Sequence, residues 1–408
     1  MSIPQSATQV YLKNCPTGFI NPKFNEADST FEIKTTPIPE LKEGQVLVKI
    51  LYLSNDPTQR SWFRKLGDDT PSYLPPVHEG TPVASFGVAE IIESKSTKYG
   101  KGDLVLGRVY WGNYAVLPET LIFNKIDQSF GLPLEFYLSV LGFTTLTAFF
   151  GLTEVAEFKG TKEGEKGKVV CVSAASGATG SSVVQIAKHL LGASKVIGIS
   201  GSDEKCKWVE SLGADLCVNY KSETWKQDIS DYLGDEKIDV YFDNVGGEIL
   251  SHVLTQMNKY GHVAACGAIS GYNDHSAFSV STWPFIITER LTVRGFIVSD
   301  FGAKYPETIN TLVGAIKGGK LKTDGAYHVE KLTGDDTETR LENIPRIWNL
   351  LFEDNKPNVL SLSTITNEYL IHCFGISKTR KSDIFLMSEF VVFHQTCVFS
   401  IEQIIKKD

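Results

Sequence analysis

One stretch, Lys168 to Lys205 (KVVCVSAASGATGSSVVQIAKHLLGASKVIGISGSDEK), limits the folds open to this chain more than any other. Val169 to Val172 is a β-branched run, and small residues and glycines follow at once. Ser181 to Leu191 then carries Val183, Val184, Ile186, Ala187, Leu190 and Leu191 at helical spacing, and Lys195 to Ser200 is a second β-rich run. The predicted order is strand, tight turn, helix, strand. Within the turn Ala174, Gly177 and Gly180 fall in the order A-x-x-G-x-x-G, a dinucleotide fingerprint with alanine in place of its first glycine. The glycines let the backbone approach a pyrophosphate, and the helix start offers it free N–H groups and a partial positive charge. Asp215 to Tyr220, Ile238 to Asn244 and His262 to Ile269 follow at the intervals of a doubly wound parallel sheet, with Leu291 to Val298 as a sixth strand.

The next question is which dinucleotide. A domain that prefers NAD ends its second strand in Asp or Glu, about 20 residues after the glycines, to hold the ribose 2′-OH. Here that strand runs into Gly201 and Ser202, so a 2′-phosphate meets no repulsion, and Lys205 lies close by to pair with it. Asp203 could be the missing acid. Ser202 or Asp203 is also a natural N-cap for the helix holding Cys206, Trp208 and Val209, and that role is preferred. The expected cofactor is NADP(H).

At 408 residues the chain is too long for one compact domain, so two are expected. Its 42% hydrophobic and 22% charged residues are those of a soluble protein, and a net charge of −8 argues against nucleic-acid or anionic-membrane partners. MSIPQSATQV has neither a basic nor an apolar signal region, and the uncharged run Phe136 to Thr153 reads as a buried helix plus a turn rather than a membrane span. Seven scattered cysteines without a C-x-x-C pair read as free thiols in a reducing compartment, hence the cytoplasm.

Residues 1–140 read as short β segments, with Gln45 to Leu53, Phe86 to Glu93 and Asp103 to Val109 the clearest, suggesting a folded-over barrel or small sheets. Ser54 to Arg60 (SNDPTQR) carries polar groups that could reach a ligand, but Asn-Asp-Pro is strong turn chemistry and a turn is the preferred reading. The nucleotide domain is expected over 141–300. Tyr305 to Ile316 reads as a helix, Leu321 to Glu330 as an extended return, and Leu341 to Phe352 as a helix, so 301–356 would rejoin 1–140. His189 and His262 read as surface or cap residues. Of Trp62, Phe63, Tyr73 and Trp111, some could line an apolar pocket and more are expected in the core.

Several strings occur in order: SNDPTQR, LTAFFGL (Leu146 to Leu152), AASGATGSSVVQIAK, GSDEK, VNY, YFDNVGGE (Tyr241 to Glu248), CGAISGYN (Cys266 to Asn273) and GFIV (Gly295 to Val298). Between Ser54 and Asn355 the chain thereby resembles the zinc-independent medium-chain dehydrogenase/reductases. The nearest group is the prostaglandin reductase and leukotriene B4 dehydrogenase type, with its NADPH-dependent alkenal and alkenone double-bond reductases. The resemblance implies an α/β fold: a Rossmann doubly wound domain plus a GroES-like, mostly-β substrate domain. It implies that Ala178, Thr179, Gly180 and Ser181 hold the pyrophosphate and that Lys205 and Tyr220 flank the 2′-phosphate. Asn244, Cys266, Gly267, Ala268, Ile269, Ser270 and Tyr272 would line the cofactor, with Phe296, Ile297 and Val298 near the nicotinamide and Asn355 on the cofactor side. It also implies a homodimer through edge-to-edge pairing of the nucleotide-domain sheets.

Zinc enzymes of the superfamily need a Cys ligand after the first strands, and no cysteine lies between Cys15 and Cys171. His78 and Glu79 resemble the His-Glu pair of those enzymes but make no three-ligand site alone. Conjugate reduction of an enone places charge on an enolate oxygen that hydrogen-bond donors can hold. The expected substrate is therefore a small α,β-unsaturated aldehyde or ketone, with Tyr272 as donor. The alternatives are that Tyr272 only packs against cofactor, that the substrate is a quinone, or that the protein binds NADPH without turnover. From Lys356 the family pattern stops, and 357–408 resembles nothing in the family. That tail is either a genuine extension or translation beyond a shifted gene end, and Val359 to Thr364 could stand in for the missing last strand.

Overall fold

The computed structural model describes residues 3–163, 166–353 and 360–364. Asn355 and the tail from 365 onward lie outside them. The described residues fall in one compact unit, 1–365.

The chain opens with the antiparallel pair β1 (Ser6–Leu12) and β2 (Phe31–Pro37), then β3 (Gln45–Asn55), β4 (Ala84–Ser94), β5 (Leu104–Tyr110), β6 (Tyr114–Pro118) and β7 (Ile122–Lys125). A second region alternates strands and helices: α1 (Phe143–Phe150), β8 (Val169–Ser173), α2 (Ala178–Gln185), β9 (Lys195–Ser200), α3 (Asp203–Ser211) and β10 (Leu216–Asn219). It continues through α4 (Trp225–Leu233), β11 (Ile238–Asp243), α5 (Gly247–Gln256), β12 (Met257–Ala265), α6 (Pro284–Thr288), β13 (Thr292–Gly295) and α7 (Tyr305–Lys317). β14 (Tyr327–Lys331), α8 (Thr337–Asn349) and β15 (Leu360–Thr364) then rejoin the first region.

Strands β8 to β13 are all parallel, in the order β10-β9-β8-β11-β12-β13. This is the doubly wound sheet that the βαβ signal predicted. β8 is buried throughout because helices cover both faces: Val170 and Val172 enter one core, Val169 and Cys171 the other. The second sheet runs β14-β15-β3-β4-β5-β7, with β6 also on β3, and is antiparallel except for β14 with β15. Its core gathers Trp62, Phe63, Trp111 and Trp348.

Three expected boundaries move. α2 begins at Ala178 rather than Ser181, because its first turn is built of small residues that show no apolar period. β12 ends at Ala265, not Ile269, because the amides of Cys266 and Gly267 both donate to Asp243 O, at 2.9 and 3.0 Å, and draw the chain off the sheet. Leu312, Val313 and Ala315 of α7, with Leu321, belong to the parallel-sheet core, so that core takes in chain beyond residue 300. β15 does lie where a substitute strand was expected, between β14 and β3.

Candidate active site

The strand order reverses between β8 and β11, so the carboxyl ends of these two strands open one crevice. β8 leaves through Ala174 at φ +48°, the left-handed conformation that glycine supplies in the usual fingerprint. Holding alanine there costs roughly 1–2 kcal/mol. The turn is tied down by Gly177 N to Ala174 O (2.9 Å), Ala175 N to Ile199 O (3.0 Å) and Ser176 N to Ser200 Oγ (3.1 Å). A Cβ on Gly180 would stand 2.2 Å from Ala174 O, so only glycine lets α2 lie this close to the turn. The amides of Ala178, Thr179 and Gly180 open the helix as donors without a partner inside it. Ser181 differs: its amide is spent on Gly177 O (2.9 Å) and its hydroxyl on Ala178 O (3.2 Å).

At the end of β9, Ser202 caps α3, its Oγ accepting from Lys205 N at 3.3 Å. Asp203 accepts from Asn219 Nδ2 at 2.9 Å, so its carboxylate is engaged on the β10 side. Lys205 is buried in the first turn of α3. The Tyr220 ring lies over Gly201, where a Cβ would meet it at 3.2 Å. The end of β9 thus carries Lys205 and the Tyr220 ring close together.

Asp243 ends β11 deep in the protein. Its Oδ1 accepts from Ser173 Oγ (3.1 Å), Tyr241 OH (2.9 Å), Val245 N (3.1 Å) and Gly246 N (3.0 Å). Burial pushes its carboxyl above the usual range, and those donors pull it back in part. Asn244 binds the end of β8 through its amide on Ser173 Oγ (2.9 Å) and Nδ2 on Ser173 O (2.8 Å). The loop from Cys266 is moulded on this turn: Ile269 N and Ser270 N reach Asn244 O and Val245 O, both at 3.3 Å, and Ser270 Oγ reaches Val245 O at 2.6 Å. Burial raises the Cys266 thiol to about 12, which leaves it an inert wall.

Tyr272 follows on that loop. Burial pushes its hydroxyl up to about 12, against hydrogen bonds from the Ala268 backbone and the Thr58 side chain, which lower it. Bonds that favour the phenolate are donated to the phenol oxygen. Thr58 belongs to a 3-10 turn, Pro57–Trp62. Trp62 Nε1 donates to Tyr73 OH at 2.9 Å, and Tyr73 OH lies 2.6 Å from Thr58 Oγ1. An indole can only donate, so the Tyr73 oxygen accepts from Trp62, and between Tyr73 and Thr58 either hydroxyl can be the donor. Tyr272, beside Thr58, brings a further hydroxyl to this group. Arg60 fixes the same loop, with Nε on Asn273 Oδ1 (3.0 Å) and Nη2 on Pro16 O (2.8 Å) and Gly18 O (3.0 Å). Ser54 and Asn55 end β3 and the turn proper follows from Asp56, bringing Thr58 and Arg60 towards this loop. The polar content of the motif was the sequence signal for that, and Tyr73 was marked only as one of four aromatics that could line an apolar pocket.

Phe296, leaving β13, packs on Phe242 at 6.2 Å and Phe301 at 6.4 Å. Beyond Ile297, Val298 O accepts from Tyr305 OH at 2.9 Å. From Tyr305 a line of rings crosses to the antiparallel sheet: Phe143 at 6.1 Å, then Phe86 at 4.9 Å, then Trp62 at 5.5 Å. The crevice thus has a polar roof of hydroxyls and an aromatic side wall.

The tempting histidines stand elsewhere. His189 Nε2 meets Leu212 O at 2.8 Å beyond the end of α3, and His262 lies within β12. His78 Nδ1 faces Lys65 O at 3.2 Å, and Glu79 accepts from Cys15 N at 2.8 Å. Among the described residues no three His, Cys, Asp or Glu side chains are grouped to hold a metal ion. No helix among them is long and apolar enough to cross a membrane.

Residues 8–124 match a family model described as the N-terminal domain of oxidoreductase, and residues 178–314 one described as zinc-binding dehydrogenase. The NADP-dependent 2-alkenal reductase of Nicotiana tabacum is 41% identical over 78% of this chain and 88% of its own length. The chain belongs to the zinc-independent medium-chain dehydrogenase/reductase group. A Saccharomyces cerevisiae relative of this chain, named uncharacterized membrane protein YML131W, is 34% identical over 89% of the chain and 99% of its own length. Among solved structures, CurA from Vibrio vulnificus in complex with NADPH matches with a TM-score of 0.73 at 27% identity, covering 89% of this chain and all of that one.

Proposed function

We propose that this reductase uses NADPH to saturate the carbon–carbon double bond of α,β-unsaturated aldehydes and ketones. The observation that supports the proposal is Tyr272 itself, on the loop that is moulded on the Asp243 to Val245 turn and next to the hydroxyls of Thr58 and Tyr73, its own hydroxyl raised to about 12 by burial. The residues present fit NADP(H): amides of Ala178, Thr179 and Gly180 and the neighbouring Ser181 for the pyrophosphate, Lys205 and Tyr220 for the 2′-phosphate. Asn244 and Cys266 to Ser270 would line its middle, and Phe296, Ile297 and Val298 its nicotinamide end. Asn355 is assigned to the same contact from the family resemblance alone.

Bound there, NADPH would supply the hydride that the substrate's β-carbon takes up. Tyr272 donates to the carbonyl oxygen, where charge gathers as the bond is reduced. Its hydroxyl, held near 12 by burial, stays protonated through the neutral range, and the α-carbon takes its proton from Tyr272 or from water. Thr58 lies beside that donor, and the rings of Phe86 and Phe143 would form an apolar side of the crevice.

The exposed edge strand β13, with Val293 at 41% exposure beside exposed Trp283 and Ile287, supports a homodimer joined along this edge. Free Cys15, Cys171, Cys206, Cys217 and Cys266 support residence in the cytosol.

The test is oxidation of NADPH and NADH by the purified protein against 2-alkenals, alkenones and quinones. Turnover of alkenals with NADPH preferred is expected. Turnover of quinones alone would shift the reading to a quinone reductase, and none at all to a nucleotide-binding protein.

A further inference from the structure

Cys206, near the start of α3, and Cys217, on β10, meet in the core on one side of the parallel sheet. Cys217 lies opposite Gly198 of β9, where a Cβ would stand 2.9 Å from Val209 of α3 and 3.0 Å from the Cys217 Sγ. The missing side chain is what lets that sulfur lie under the helix. There the Cys217 thiol donates a hydrogen bond to the Cys206 sulfur. The bond lowers the Cys206 thiol, against burial and the carboxylates of Glu210 and Asp203, and it raises Cys217, which burial raises further. The start of a helix also favours a thiolate. Both residues are buried, at 6% and 8% exposure, and neither is sealed off.

The pair touches the cofactor site at two points. Lys205, assigned above to the 2′-phosphate, precedes Cys206 in the first turn of α3, and Tyr220 follows just past the end of β10, its amide on Ser200 O at 2.9 Å. Ser200 makes the second link. Its hydroxyl donates to the Cys217 thiol and accepts from Ser176 N, at 3.1 Å, in the turn ahead of α2.

We propose that Cys206 and Cys217 form a modification site, in which a hydroperoxide joins them as a disulfide and the bond weakens the hold on NADPH. The Cys206 sulfur takes the outer oxygen of the peroxide as the O–O bond breaks, and the rest leaves as an alcohol, or as water from hydrogen peroxide. The Cys217 sulfur then displaces that oxygen as water, so the two thiols lose two electrons and two protons and one peroxide is reduced. A covalent bond holds two sulfurs closer than a hydrogen bond does. Closure therefore draws the start of α3, with Lys205, towards β10, and disturbs the Ser200 hydroxyl that steadies the phosphate turn. This rests on the assignment of Lys205 to the 2′-phosphate and adds a regulation to that site.

The test treats the reduced full-length protein with hydrogen peroxide. Peptide mass mapping reads the modification and fluorescence titration reads NADPH affinity, each before and after dithiothreitol. A peptide pair joined through Cys206 and Cys217, lighter by two hydrogens, is expected, with the Kd for NADPH raised at least roughly fivefold and restored by dithiothreitol. Cys206→Ala removes the reactive sulfur and should keep its affinity through the same treatment. Thiols that stay free, or that join other cysteines instead, overturn the site. A disulfide that leaves the wild-type Kd unchanged, or an equal loss of affinity in Cys206→Ala, overturns its coupling to the cofactor. If the reduced protein binds no NADPH the cofactor reading fails, and the mass map alone decides for or against the disulfide.

Discussion

Tyr272 has neighbours far from it in the chain. Thr58, hydrogen-bonded to Tyr73 in the antiparallel domain, is among the groups that act on a phenol carried by the nucleotide-side loop. Tyr272→Phe keeps the ring and removes the donor, so kcat on an alkenal should fall by about two orders of magnitude with NADPH affinity nearly unchanged. Steady-state rates together with cofactor fluorescence titration check both halves. Tyr272 was legible in its motif, whereas Tyr73 was marked only as one of several aromatics, because its hydrogen bonds to Trp62 and Thr58 leave no local pattern. Asp56 offers a pH test in the same turn. Burial pushes its carboxyl from 3.8 to about 6, against a lowering bond from Ser54, and Oδ2 has no partner. Folding therefore favours the protonated form: the protein is free of the penalty below about pH 4, and loses stability as pH rises towards 6, by roughly 3 kcal/mol in all. Asp56→Asn should raise the melting temperature at pH 8 and leave it little changed at pH 4. A difference independent of pH would count against a buried carboxylate there.

Elements were legible where local pattern and tertiary packing agree. β9 runs Lys195–Ser200 as read, since both of its faces are buried and its β-branched residues say so. Where a long-range contact ends an element, the pattern overran: β12 stops because Asp243 O, on another strand, captures the next two amides. The turn between β8 and α2 shows both sides. Its glycines were visible, but the strained Ala174 could be found only in the backbone. Gly180→Ala should cost about 1–3 kcal/mol by forcing α2 off Ala174 O, and should weaken NADPH binding with it. Denaturant melts and cofactor titration of that variant test the close approach. Stability and affinity both at wild-type levels would show that the turn yields where the geometry says it cannot.

For the molecule as a whole, the parallel sheet and the strand that completes the antiparallel one were both legible in the sequence, whereas the order of strands in the antiparallel sheet was not. β15 lies between β14 and β3, so its removal strips hydrogen-bond partners from both. A chain ended after residue 353 should melt roughly 5–10 °C below one ended after residue 365, by calorimetry, whereas equal melting would mean β15 adds little. The central claim is hydride addition to carbon rather than to the carbonyl. The direct measurement is the product formed from a 2-alkenal with NADPH carrying deuterium at the transferable position. The account predicts a saturated aldehyde with deuterium on its β-carbon; an allylic alcohol with deuterium on the former carbonyl carbon would contradict it.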